Sequence, residues 1–300
     1  MHVVIAGGSG FVGQVLQNRL LHAGYEVTIL TRSPNKVKQT DRLHAVQWLA
    51  DQSEPENHLT NVDAIVNLAG ESINGLRWTK AKKIRILQSR MIVTKEINRI
   101  ISVLDQRPKV LINASAVGFY GMSEKNTYTE KDDSIATDFL ATVVKAWEIE
   151  AQKAEQYGVR TVMARFGIVL GYDGALPLMV LPYKLFIGGT VGTGRQWVSW
   201  VHVADVAGLI QFSIEHHTIS GPLNVTAPEP IKMKEFGKTI GHVLHRPHWL
   251  PVPSFALQVL LGEMSEILIN GQRVLPEKAM EHGYSYEYPT LEKALSNLWN

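Results

Sequence analysis

Val3-Val4-Ile5-Ala6-Gly7-Gly8-Ser9-Gly10-Phe11-Val12-Gly13 decides the fold. The apolar run Val3–Ala6 reads as a buried strand and Phe11–Ala23 as a helix, so Gly7, Gly10 and Gly13 stand three residues apart at a strand-to-helix turn. Gly7 permits the tight turn, Gly10 lets a pyrophosphate approach the backbone, and Gly13 lets the helix pack closely on the strand. The unpaired N–H groups at the helix start, where Phe11 and Val12 lie, complete an anion cradle. This context, the first strand, turn and helix of a βαβ unit, makes the glycines a dinucleotide site rather than an ordinary flexible turn.

The chain continues in the same rhythm. Glu26–Leu30, Ala45–Trp48, Ala64–Asn67, Val110–Ala114 and Arg160–Phe166 read as strands, separated by helices near Thr79–Leu104 and Ser134–Tyr157. Repeated βαβ units imply an α/β fold, a Rossmann-type doubly wound parallel sheet. The helix at Thr79–Leu104 is expected to bury Ile84, Leu87, Met91, Ile97, Ile100, Ile101 and Leu104 and to expose its lysines and arginines. From Gly167 the glycines and prolines become frequent and the alternation less regular. Residues 1–166 are therefore expected to form the dinucleotide-binding domain, and residues 167–300 a smaller C-terminal α/β substrate lobe. Trp200–Val206 reads as a strand running into a helix, and part of 195–215 is expected to pack back on the first domain. Met233–Leu244, Ser254–Leu261 and Leu291–Leu298 read as short helices.

An NAD site places an acidic residue at the end of the second strand, on the ribose 2′-hydroxyl. Here that strand ends Ile29-Leu30-Thr31-Arg32-Ser33. A guanidinium pairs with a 2′-phosphate and offers a 2′-hydroxyl less than a carboxylate would. The expected cofactor is NADP(H), held at Arg32 with help from Thr31, Ser33 and Lys36.

Composition narrows the remaining classes. Lys and Arg number 30 against 28 Asp and Glu, a formal charge of +2, too little for a binder of nucleic-acid phosphates. The chain has no cysteine, which removes disulfides, thiolate catalysis and thiolate metal sites and suits a reducing compartment. The start, Met1-His2-Val3, lacks the features of a signal peptide. The longest apolar stretch, Ala175–Ile187, is broken by Pro177, Pro182 and Lys184 and falls short of the roughly 20 residues a bilayer span needs. A cytoplasmic protein with a small-molecule substrate, and neither nucleic acid nor membrane as partner, is the expectation.

Several further segments carry a family resemblance: Asn67-Leu68-Ala69-Gly70-Glu71, Arg77-Trp78-Thr79, Ser89-Arg90, Ala114–Gly121, Arg165–Gly171, His245-Arg246-Pro247, Gly271–Pro276 and Gly283-Tyr284. With the glycine loop, they make the chain similar to the extended short-chain dehydrogenase/reductases, within them to the NAD(P)-dependent epimerase-like group with a short C-terminal domain of unknown function. The resemblance implies that Leu68, Ala69 and Gly70 lie over the nicotinamide-side ribose and that Arg90 contacts the cofactor. It implies that Ser115 holds the catalytic serine or threonine position and that the substrate is small and polar or sugar-like. Homodimers are common among such proteins, and no segment here specifies an interface.

The sequence departs from that family at the proton donor. The usual Tyr-x-x-x-Lys pair is missing: no tyrosine precedes Lys145 by four residues, and an alignment through Glu148 puts Leu140 and Val144 at the two positions. Tyr120 is the nearest replacement, and Glu71 would serve as an acid if a dry pocket raised its pKa. Two readings follow: an NADP(H)-dependent oxidoreductase or epimerase, and a dinucleotide-binding regulatory or sensor protein without turnover. Trp197 and Trp200 are expected on one face of a strand, as core or as cleft wall. His242, His245 and His248 lack an accompanying carboxylate, and no metal site is expected there.

Overall fold

The structure is a computed structural model that describes residues 1–73, 77–133 and 136–299; the expected helix start at Ser134 lies outside them. Its strands are β1 (His2–Ala6), β2 (Glu26–Thr31), β3 (Leu43–Gln47), β4 (Ala64–Asn67), β5 (Val110–Ala116), β6 (Thr127–Tyr128), β7 (Arg160–Phe166), β8 (Ile168–Leu170), β9 (Trp197–Val198), β10 (Trp200–His202), β11 (Gly221–Val225), β12 (Ile231–Lys232) and β13 (Arg273–Val274). Its α-helices are α1 (Phe11–His22), α2 (Lys80–Val103), α3 (Phe139–Gln152), α4 (Leu176–Lys184), α5 (Val203–Glu215), α6 (Met233–Val243), α7 (Ser254–Leu261), α8 (Glu266–Ile269), α9 (Glu277–Glu281) and α10 (Leu291–Trp299).

Seven strands form one sheet in the order β3-β2-β1-β4-β5-β7-β11, with every pair parallel. The strand order reverses between β1 and β4. The loops leaving these two strands diverge there and open a crevice at their C-terminal ends, where open α/β sheets take their ligands.

Both sheet faces are covered, so β1 is buried at all five positions. Val3 and Ile5 pack under Leu16 and Leu20 of α1 and Val206, Leu209 and Ile210 of α5. Val4 and Ala6, on the opposite face, meet Ile97, Ile100 and Ile101 of α2. The expected stripe of α2 holds in its second half. In its first half Ile84 is exposed and Ile86 buried, because these turns run along the crevice instead of across the sheet. Thr79 caps α2 by accepting the Lys82 N–H at 3.2 Å, and Asp138 caps α3 by accepting that of Ala141 at 3.1 Å.

Beyond residue 166 the chain serves two structures. A second core gathers Trp200, Phe236, Leu295 and Tyr183 between α4, α6 and α10. In contrast, α5 and β11 rejoin the main sheet, β11 as its edge strand beside β7. The sheet thus takes its seventh strand from residues 221–225.

Candidate functional site

The glycine loop is fixed by close approach. Gly7 has φ 81°, and a Cβ there would lie 2.8 Å from the carbonyl carbon of Leu68. A Cβ at Gly13 would collide with the Gly7 carbonyl oxygen and sit 2.6 Å from Gly8 Cα. The Gly10 N–H donates to the Gly7 carbonyl at 3.0 Å, and no side chain caps α1. The N–H groups of the first turn therefore have neither intrahelical nor side-chain acceptors, and Phe11 and Val12 line the crevice wall. Among the described residues no side chain caps these N–H groups, and the close-packed glycines leave no side chain of their own over them, so the residues present fit a dinucleotide's pyrophosphate.

The neighbouring turn after β4 owes its shape to Asn67. That buried side chain donates to Asn113 Oδ1 at 2.6 Å and Thr94 Oγ1 at 3.1 Å, and accepts the Ala69 N–H at 3.2 Å. Leu68, Ala69 and Gly70 thereby face the same crevice as the glycine loop. At the far end of β2, Thr31 Oγ1 accepts the Ser33 N–H at 3.2 Å, and Arg32 and Lys36 are exposed. Among the described residues Arg32 has no hydrogen-bond or ion-pair partner. It is a cation available to a ligand.

The crevice deepens into a cleft of about 470 Å³ between the sheet and the C-terminal lobe. Arg90 reaches it from α2, donates through Nη1 to the carbonyls of Glu71 and Ile86 at 3.0 Å, and lies 5.0 Å over the Trp147 ring. Burial pulls its pKa down to about 10, so it stays charged at neutral pH. Ser115, the penultimate residue of β5, lines the cleft. Its hydroxyl donates to Glu148 Oε1 at 2.5 Å, and Glu148 in turn takes a bidentate pair of hydrogen bonds, both 2.8 Å, from Arg165. All three are buried. The hydroxyl proton of Ser115 is committed to that carboxylate, which leaves its oxygen able to accept from a ligand.

Tyr120 lies beneath the cleft and does not line it. It is fully buried, donates to Asn224 Oδ1 at 2.8 Å, accepts from Arg165 at 2.9 Å, and stacks on Tyr128. Burial pushes its pKa up to about 12. Glu71 also differs from the sequence expectation. Hydrogen bonds and ion pairs from Lys82 at 2.8 Å and Arg85 at 3.2 Å hold its carboxyl below the ordinary value, the reverse of what an acid needs. On α3, Lys145 turns aside to the Ala136 carbonyl at 2.6 Å, and the cleft face is Leu140, Val143, Val144 and Trp147. Leu140 and Val144, the pair that an alignment through Glu148 sets at the family's two positions, are among the α3 residues that face the cleft.

Trp197 and Trp200 do not share a strand face. They are three residues apart, an odd offset that opposes side chains on a pleated strand, and they fall in separate strands. Trp200 is core, donating to the Glu229 carbonyl at 3.1 Å. Trp197 lines the cleft, with Lys232 Nζ 3.7 Å and Arg273 Cζ 4.9 Å from its ring centroid. His248 is hydrogen-bonded to Tyr183 and Thr190 at 2.9 and 3.0 Å, and His242 lies 3.5 Å from Glu292. Among the described residues no group of three or more histidines and carboxylates has metal-holding geometry. No helix among them is long and apolar enough to cross a membrane.

Sequence reasoning left two features unassigned: the Glu148–Arg165 pair under Ser115, and the cleft wall supplied by Ile267, Leu268 and Gln272. An arginine inside an apolar strand run was a readable sign of a buried partner. Nothing local in residues 267–272 announces a cleft.

Comparison with known proteins agrees with this architecture. Residues 3–225 match the model of the NAD dependent epimerase/dehydratase family, and residues 252–298 match a domain of unknown function, DUF1731. The epimerase family protein YfhF of Bacillus subtilis is 51% identical over 298 residues, covering 99% of this chain and 98% of that protein. The epimerase family protein SH2119 of Staphylococcus haemolyticus is 40% identical over 296 residues, 98% of each. The crystal structure of the human epimerase family protein SDR39U1 (isoform 2) with NADPH superposes with a TM-score of 0.87 at 32% identity over 99% of both chains. With its Rossmann sheet, glycine cradle and C-terminal lobe, the chain belongs to the NAD dependent epimerase/dehydratase family.

Proposed function

We propose that the protein is an NADP(H)-dependent oxidoreductase or epimerase of the extended short-chain type, working on a small molecule. The observation that carries the cofactor choice is Arg32, an exposed guanidinium without a protein partner among the described residues, at the strand end where an NAD site would have a carboxylate. The NADPH in the human relative supports the same choice. Gly7, Gly10, Phe11, Val12 and Gly13 would hold the pyrophosphate, Thr31 and Arg32 the 2′-phosphate, and Leu68, Ala69, Gly70 and Arg90 the nicotinamide half. NADP(H), when bound, supplies a hydride or takes one up. A chain without cysteine suits a reducing compartment, and we assign it to the cytoplasm.

Ser115 is the side chain with a reactive-site position. With its proton held by Glu148, its oxygen accepts a hydrogen bond from a substrate hydroxyl and fixes the oxygen-bearing carbon near the cofactor half of the cleft. Tyr120 has its phenol engaged below the floor, and the positions an alignment through Glu148 gives the family's tyrosine and lysine are apolar, so in this reading solvent supplies the proton when a carbonyl is reduced and receives the hydroxyl proton when an alcohol is oxidised.

The apolar face of α3 also favours a second reading, a sensor that binds NADP(H) without turnover. Incubation with NADPH deuterated at either C4 face, together with a panel of carbonyl compounds, separates the two. Deuterium from one face only, recovered in a product, is expected of the enzyme; no transfer to any compound would leave the sensor.

A further inference from the structure

We infer that Gln272 is the group that orients the substrate, and that the substrate is an uncharged, largely apolar molecule carrying a carbonyl or amide function. This rests on the reading that NADP(H) occupies the glycine-loop side of the same cleft. It differs from the sugar-like substrate that the family resemblance implies.

The cleft wall away from the glycine loop is Leu140, Val144, Met179, Trp197, Met233 and Leu268. The charged side chains lining the cleft among the described residues are Glu71 and Arg90, both beside the turn after β4. Glu71 is neutralised by Lys82 and Arg85, and Arg90 is engaged by two backbone carbonyls and the Trp147 ring. Lys232 and Arg273 lie against the Trp197 ring and are not part of the cleft lining, so a phosphorylated substrate would meet no cation lining the far wall among the described residues, and a sugar would find few side-chain partners for its hydroxyls there.

Two carboxamides line that wall, Asn270, which is exposed, and Gln272, which is buried. Gln272 is 7% exposed, and its carboxamide makes no hydrogen bond within the described residues. Ser199, which also lines the cleft, is already engaged on both sides: its hydroxyl donates to the Gln272 carbonyl at 2.9 Å and accepts the Val274 N–H at 3.0 Å. A buried amide keeps one acceptor and two donor hydrogens in need of partners, and a ligand in the cleft is placed to supply them.

The backbone under Gln272 is held on both sides. The Ser123 N–H donates to the Gly271 carbonyl at 2.8 Å, and β13 pairs with β6 from Arg273 onward. Gly271 packs so tightly on the Trp197 backbone that a Cβ would lie 3.0 Å from its carbonyl carbon. A polar group fixed before the ligand arrives loses little freedom on binding, which suits a specificity determinant.

The test uses 1-acetonaphthone, an uncharged aromatic ketone, and UDP-glucose as probes. Each is titrated into the full-length protein, with and without saturating NADP+, while tryptophan fluorescence is followed. Saturable quenching by the ketone and none by UDP-glucose is expected. Gln272→Leu should weaken the ketone roughly tenfold, the worth of one neutral hydrogen bond, with nucleotide affinity unchanged in calorimetry. Leu268→Asp should weaken it further by placing a charge in the apolar wall. Binding of UDP-glucose in preference to the ketone, binding of neither, or equal ketone affinity in wild type and Gln272→Leu would overturn the inference. Loss of nucleotide binding alone would instead count against the NADP(H) reading, because ketone binding is also measured without nucleotide.

Discussion

Arg165 and Glu148 show what a single residue pair does at the base of this site. Their side chains are 3% and 7% exposed and joined by two hydrogen bonds of 2.8 Å, and the same carboxylate holds the Ser115 proton. Removing one partner leaves the other charge buried and unpaired, which costs about 3 to 5 kcal/mol, whereas exchanging both for apolar residues of similar volume costs much less. Glu148→Gln is therefore expected to lose about that much in urea unfolding, and the Glu148→Leu, Arg165→Met double variant to be more stable than Glu148→Gln. A double variant as damaged as the single one would mean that the pair does not act through charge compensation. The tight turn at the glycines and the exposed strand-end position of Arg32 were legible in the sequence because they depend on a local turn and on the end of one strand. Glu148 and Gln272 were not, because the partners of the first and the cleft that the second lines are built from segments distant along the chain.

At the scale of elements, α5 links the two halves of the chain. His202 caps it, accepting the Ala204 N–H at 3.2 Å and lying 3.9 Å from the Tyr288 ring, centroid to centroid. Asp205, one turn further, accepts the N–H groups of Glu287 and Tyr288 at 2.8 and 2.9 Å and the Tyr284 hydroxyl at 3.1 Å. The helix thus ties the C-terminal segment to the sheet. Burial pulls the pKa of His202 down to about 4 from an ordinary value of 6.5. Between those limits the unfolded chain takes a proton that the folded one refuses, so this contribution to stability is complete above pH 6.5 and declines as the pH falls towards 4. The loss is on the order of 3 kcal/mol at most. His202→Asn keeps a capping side chain and is expected to flatten the pH dependence in that window, measured by denaturant midpoints at fixed pH. Equal slopes in wild type and variant would contradict the assignment. The strands and most helices were readable from periodicity. The first half of α2 was not, because its apolar residues divide between core and cleft.

The whole molecule is one parallel sheet that borrows its seventh strand and a covering helix from beyond residue 166 and encloses a cleft against the rest of that segment. The change of rhythm at Gly167 marked where the sheet-building pattern loosens, and the packing of 203–225 on the sheet became clear only in three dimensions. The central claim is that the nucleotide site selects the 2′-phosphate through Arg32. Calorimetric titration of nucleotide-free protein with NADPH, NADP+, NADH and NAD+, repeated on Arg32→Asp, tests it most directly. The account predicts tight binding of the phosphorylated pair by wild type and a loss of roughly 10- to 100-fold for that pair in the variant, with its unfolding unchanged. Equal affinity for NADH and NADPH in wild type, or an unchanged preference in Arg32→Asp, would contradict it.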